Sequence, residues 1–95
     1  MRDERIVESR FTVQGELGLH ARPAGRFVTL AGRFQSEITV SREDEEEWVS
    51  GRSVLSMLSL AAGSGTCLRI RAEGVDAAEA VAALGRLLVA PEHEI

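Results

Sequence analysis

The chain has 95 residues, fifteen acidic side chains against eleven basic ones, all arginine, and a formal net charge of −4. That length suits one compact domain with a modest core and no large enclosed substrate cavity, and an acidic balance without a basic face argues against nucleic acid. Cys67 is the only cysteine, charges at Arg2, Asp3, Glu4 and Arg5 stand where a signal peptide needs an apolar run, and no stretch is long enough to span a bilayer, so disulfide-stapled and membrane classes are excluded and a cytoplasmic location is expected.

From Arg5 to Val13 apolar and polar residues alternate. Val7, Phe11 and Val13 share one face with Ser9 as a weak member, and Glu8, Arg10 and Thr12 share the other, which predicts a strand with one wet face. Gln14 to Leu19, with Gly15 and Gly18, reads as a loop. From Ala21 to Phe34 the period changes, and Ala24, Phe27, Val28, Ala31 and Phe34 recur at helical spacing. Pro23 falls in the first turn, where its missing N–H costs nothing. The helix is expected to begin just after His20, with that residue at or near the N-cap, and to end at about Gly32.

Ser36 to Arg42 alternates again with Ile38 and Val40 inward. The acidic run Glu43 to Glu47 reads as the solvated tip of a hairpin, with Glu47 to Ser50 returning around Trp48 and Gly51 breaking the chain. Ser53 is a natural N-cap for a short helix to Leu60, with Val54, Met57 and Leu58 on one side. Gly63-Ser64-Gly65 is a turn. Thr66 to Glu73 then alternates, with Leu68, Ile70 and Ala72 in and Arg69 and Arg71 out. Asp76-Ala77-Ala78-Glu79 has the form of a capping box. It opens a helix whose stripe is Ala77, Ala80, Val81, Leu84, Leu87 and Leu88, and residues 90–95 read as a tail.

The order is β-α-β-β-α-β-α with a polar face on each strand. It predicts an α+β open-faced sandwich, a four-stranded antiparallel sheet covered on one face by three helices. A single domain over residues 1–95, with its core at about 5–89, is expected.

The segment with chemistry is Gly18-Leu19-His20-Ala21-Arg22-Pro23-Ala24. The first N–H groups of a helix lack intrahelical partners and, with the helix dipole, form an anion site. A phosphoryl group on the His20 imidazole would lie against the backbone donors of Ala21, Arg22 and Ala24, and the Arg22 guanidinium could add a charge-assisted bond. Histidine has an ordinary pKa near 6.5 and is largely neutral, hence nucleophilic, at pH 7. The plainer reading of these residues alone is a surface histidine before a helix that happens to carry an arginine.

The heptapeptide closely resembles the active-site signature of the histidine-containing phosphocarrier (HPr) family of the bacterial phosphoenolpyruvate-dependent phosphotransferase system. The resemblance extends from about Arg5 to Leu88, and the family's fold is the sandwich described above. It implies that His20 is phosphorylated on Nδ1 and that Arg22 supports the phosphoryl group. It also implies that enzyme I donates the group and that an enzyme II A component or a regulatory protein accepts it. The segment from Arg52 to Leu60 resembles the family's regulatory segment, which puts Ser53 on the serine modified by HPr kinase/phosphorylase. Leu55, Met57 and Leu58 are candidates for partner docking, with simple core packing as the alternative.

The acidic run makes the hairpin about two residues longer than is usual in the family, judged from the separation of His20 and Ser53. Ser56 and Ala61 stand where glycine is frequent in the sugar-transport branch, which leaves a nitrogen-branch or regulatory relative open. No metal or organic cofactor is implied, a monomer is expected, and "enzyme" is a loose label for a stoichiometric carrier. The alternatives are a regulatory binding module of the same system without transport flux and an independent small phosphohydrolase. Gly63-Ser64-Gly65 lacks the following lysine of a Walker loop, Cys67 reads as a packed strand residue, and His93 lies in the tail.

Overall fold

The computed structural model describes residues 5–14 and 19–90. Its elements follow the switches of hydrophobic period along the chain: β1 Arg5–Thr12, α1 Ala21–Ala31, β2 Glu37–Arg42, β3 Val49–Ser50, α2 Val54–Ser59, β4 Cys67–Gly74 and α3 Ala77–Val89. The four strands form one antiparallel sheet in the order β1-β4-β2-β3. Strand β4 lies between β1 and β2, with Ile70 opposite Ser9 on one side and Val40 on the other.

The period of two decides which face of the sheet is covered. Leu68, Ile70 and Ala72 of β4 and Ile38 and Val40 of β2 are buried. They meet Ala24, Phe27 and Ala31 of α1, Met57 of α2, and Ala77, Ala80, Val81, Leu84 and Leu88 of α3. Burying each of the larger of these side chains, the Val, Leu, Ile, Phe and Met residues, contributes roughly 1.5–3 kcal/mol relative to exposure, which is the main term holding helices to sheet. The opposite face stays open, and there the Trp48 ring lies under the guanidinium of Arg69, 4.7 Å from the ring centroid.

Several expectations need correction. Strand β3 is Val49–Ser50 only, because residues 45–48 are held as an irregular segment whose Glu45 carbonyl accepts Arg69 Nη2 at 2.7 Å. Helix α1 ends at Ala31 with Gly32 as its C-cap, as expected, but Phe34 of its predicted stripe lies beyond the helix. The capping residue Gly32 is right-handed (φ −66°), and Arg33 and Phe34 close the end by donating to the carbonyls of Leu30 and Ala31. Val54 is exposed, so α2 buries Met57 without it. Asp76 is the N-cap of α3 but makes no capping-box bond. The loop assigned to Gln14–Leu19 falls largely on residues 15–18, and His93 on residues 91–95, outside the described residues.

Asp76 instead pins the corner between α1 and β2. Its carboxylate accepts the N–H groups of Gln35 (2.9 Å) and Ser36 (3.0 Å) and the Ser36 hydroxyl. Those hydrogen bonds, the Ser36 hydroxyl first, hold its pKa below the usual carboxylate range. Gly74 leaves room for this corner: a Cβ there would lie 2.6 Å from Ser36 Oγ and 2.8 Å from Ser36 Cα, and its φ is +153°. From the other side Arg52 Nη2 donates to the carbonyls of Phe34 (2.7 Å) and Ser36 (2.9 Å).

Candidate functional site

The head of α1 is fixed from outside the helix. Leu19 is buried, and its N–H donates to the Ala62 carbonyl at 2.8 Å. This bond ties the residue before the helix to the turn after α2. His20 follows as the N-cap in extended backbone, φ −109° and ψ −165°, and its carbonyl accepts the Ala24 N–H at 2.9 Å.

The imidazole takes no capping bond from the first turn, so those donors are not consumed by their own cap. The N–H groups of Ala21 and Arg22 sit at positions that have no intrahelical acceptor, and Pro23 contributes none. No acidic side chain lies in the first turn. Ala21 and Arg22 are exposed and His20 is half-buried. The site therefore offers an anion two backbone donors, the positive end of the helix dipole and a guanidinium within one turn.

Ala24 does not belong to this set. Its N–H is already bonded to the His20 carbonyl, and its side chain is buried against the core. The reason is positional: the fourth residue of a helix is the first whose N–H reaches the N-cap carbonyl.

The basic character continues along α1. From Leu19 to Ser36 there are three arginines and no acidic residue. Arg22, Arg26 and Arg33 line one open groove with Gly25, Leu30 and Leu87. Helix α2 packs against α1 on another side. Ser53 is its N-cap and accepts the Ser56 N–H at 3.2 Å. Among the docking candidates Leu55 is 80% exposed and Leu58 is partly buried against the core. Met57 is fully buried and is withdrawn as a docking residue, since a side chain with no accessible surface cannot meet a partner without unfolding of the helix.

The acidic loop is not free of the fold. The Arg42 guanidinium binds the Asp44 carboxylate with two bonds, Nε at 3.1 Å and Nη2 at 3.3 Å. Hydrogen bonding to Arg42 draws the Asp44 pKa down. The same guanidinium donates through Nη1 to the carbonyls of Leu60 (3.1 Å) and Ala61 (3.2 Å). Sequence reasoning missed Arg42, yet its parity carried the signal. In β2 it follows Ile38 and Val40 at steps of two, which places it on the helix side of the sheet. Cys67 sits beside Glu43, and a hydrogen bond to that carboxylate, with burial adding, pushes the thiol pKa up. That opposes the thiolate a nucleophile needs.

Comparison with known proteins shows the family. The family model described as "PTS HPr component phosphorylation site", PTS being the phosphotransferase system, matches residues 7–90. The phosphocarrier protein HPr of Haloferax volcanii is 41% identical over 86 residues, covering 90% of this chain and 97% of that one. The phosphocarrier protein HPr of Pseudomonas aeruginosa is 43% identical over 77 residues, covering 81% and 84%. The crystal structure of a phosphocarrier protein HPr from Bacillus anthracis superposes with a TM-score of 0.81 at 37% identity, covering 87% of this chain and 96% of that one. A helix headed by His20 and Arg22, on a β1-β4-β2-β3 sheet, is thus found in a chain that belongs to the HPr phosphocarrier family of the phosphotransferase system.

Proposed function

We propose that the chain accepts a phosphoryl group on His20 from phosphoenolpyruvate-phosphorylated enzyme I and passes it to an enzyme II A component or a regulatory protein. The observation that carries this reading is the head of α1, where the N-cap is a histidine and the N–H groups of Ala21 and Arg22 are not used by that cap. In the step the His20 imidazole attacks phosphorus, a P–N bond forms on His20, and the bond from phosphorus to the donor breaks. Backbone donors and Arg22 neutralise the phosphoryl oxygens throughout. Such a transfer asks the protein mainly for position and charge. Arg22 supplies the charge and the N–H groups of Ala21 and Arg22 the hydrogen bonds, while Leu55 and Leu58 of α2 are the apolar residues offered to partners.

The test is labelling by phosphoenolpyruvate and a matched enzyme I, followed by acid and base treatment. An acid-labile, base-stable phosphate that disappears in His20→Ala is the expected result. Absence of label on the wild-type chain, with retained partner binding, would establish the regulatory binding module in its place. We also assign Ser53 as the acceptor for HPr kinase/phosphorylase. Its hydroxyl caps α2, so an added phosphate meets the start of that helix and puts charge beside exposed Leu55. An acid-stable phosphate mapped by mass spectrometry to any other residue would overturn that assignment. The same reading makes the protein a cytoplasmic, single-domain monomer. For the described residues, no helix is long and apolar enough to cross a membrane.

A further inference from the structure

The residue before His20 is held by the Ala62 carbonyl, so whatever sets the direction of that carbonyl sets the head of α1. The turn carrying it is unusual. Ala61 has φ +50°, the only non-glycine residue with positive φ among the described residues. A Cβ crowds the following carbonyl in this left-handed conformation, so an alanine there must be held by its surroundings. It follows the end of α2, where Leu60 and Ala61 donate back to Met57 and Leu58 and the last carbonyls have no helical partner.

Arg42 supplies what the turn lacks. One nitrogen of its guanidinium binds both the Leu60 and the Ala61 carbonyl. The other two are clamped by Asp44, with Glu45 Oε2 at 3.9 Å from Nε. The side chain is only 24% exposed. A cation at a helix C-terminus is favoured by the dipole, and the two-point carboxylate contact fixes the plane of the fork. A continuous path results: Asp44 orients Arg42, Arg42 holds Leu60 and Ala61, the turn aims the Ala62 carbonyl, and that carbonyl holds Leu19 next to His20.

We propose that Arg42 is a positioning residue for phosphotransfer at His20, and that the acidic loop around Asp44 serves to orient it. This rests on His20 being the phosphoryl acceptor. Without the guanidinium the left-handed alanine relaxes, the Leu19 bond loosens, and the imidazole loses its fixed place at the helix head. A small misplacement of a reacting group costs rate far more than binding.

The experiment measures single-turnover transfer from phosphorylated enzyme I to Arg42→Ala, Asp44→Asn and the double variant Arg42→Ala/Ala61→Gly. Leu19 amide exchange is followed by NMR in each. Arg42→Ala is expected to slow the transfer step roughly tenfold, as for loss of positioning, with the KM for the donor within about twofold and Leu19 exchanging faster. Asp44→Asn shifts both readouts the same way by less. Glycine at 61 adopts positive φ without strain, so the double variant recovers most of the rate and of the Leu19 protection. Unchanged transfer and unchanged Leu19 exchange in Arg42→Ala overturn the inference while His20 stands. A change confined to KM overturns it in favour of the loop acting on the partner. A wild-type chain that takes no label on His20 overturns both this inference and the reading it rests on.

Discussion

Replacing Met57 by alanine separates core from proposed docking surface in α2. Met57 has no accessible surface and packs in the cluster with Phe27, Leu60 and Ile70. Truncation removes three heavy atoms beyond Cβ. At about 0.8 kcal/mol for each methylene-sized group the transfer term alone is about 2.4 kcal/mol. The void left behind adds to it, and buried Met→Ala changes fall at roughly 2–5 kcal/mol. A six-residue helix at the surface settles partly into the void, which places the expectation near the lower end, about 3 kcal/mol. For a domain of this size each kcal/mol moves the melting temperature by about 4–8 °C, so Met57→Ala is expected to melt at least about 10 °C below wild type. The paired control is Leu55→Ala. That side chain is 80% exposed, so its loss is expected to change stability by less than about 0.5 kcal/mol while weakening association with enzyme I. Thermal and urea unfolding followed by circular dichroism reads the first effect, and calorimetric titration with enzyme I the second. A Met57→Ala chain melting within about 3 °C of wild type would refute the burial argument, and the docking role would then reopen.

Two further predictions concern the frame around the site. Because the folded pKa of Asp76 is lowered, its contribution to stability is fully present above the ordinary carboxylate pKa and fades as pH falls through the lowered folded value. The urea midpoints of wild type and Asp76→Asn are therefore expected to differ at neutral pH and to converge in acid, and a gap that widens on acidification would reverse the sign. At Gly85 an added Cβ would lie 2.1 Å from the Phe11 ring atoms Cε1 and Cζ. Gly85→Ala gains about 1 kcal/mol of helix propensity but must displace the ring at about 1–3 kcal/mol. Net destabilisation is expected, and a raised melting temperature would show that Phe11 moves aside at little cost.

The helix start at Ala21 and the inward faces of β2 and β4 were legible because periods of two and 3.6 do not mimic one another over six or more residues. Proline at 23 marked the first turn by steric rule. What failed to show was tertiary. A six-residue helix is too short for a stripe to say whether Val54 or Met57 faces the core, and the sheet below it chose Met57. Asp76-Ala77-Ala78-Glu79 has the spacing of a capping box, yet the carboxylate found stronger partners forty residues away at Gln35 and Ser36. Ala24 looked like a donor because it lies near the helix start, but counting to the fourth N–H assigns it to the His20 carbonyl. The acidic run looked like a solvated tip, and only the folded sheet reveals that Asp44 grips an arginine aimed inward.

A helix whose first residue does not cap it is left with a debt in hydrogen bonds that some other group can discharge. A phosphoryl group on His20 would complete the start of α1, so the charged carrier should be the more tightly folded of the two forms. Thermodynamic linkage gives that gain a second meaning. Whatever stability the fold draws from the phosphoryl group is subtracted from the group's tendency to leave. With His20 as the proposed phosphoryl acceptor, the sparse donor set at this helix head, two N–H groups where a proline removes the third, would keep the bond to His20 within reach of exchange in both directions. The location of one proline would then enter the transfer potential of a carrier phosphorylated on His20.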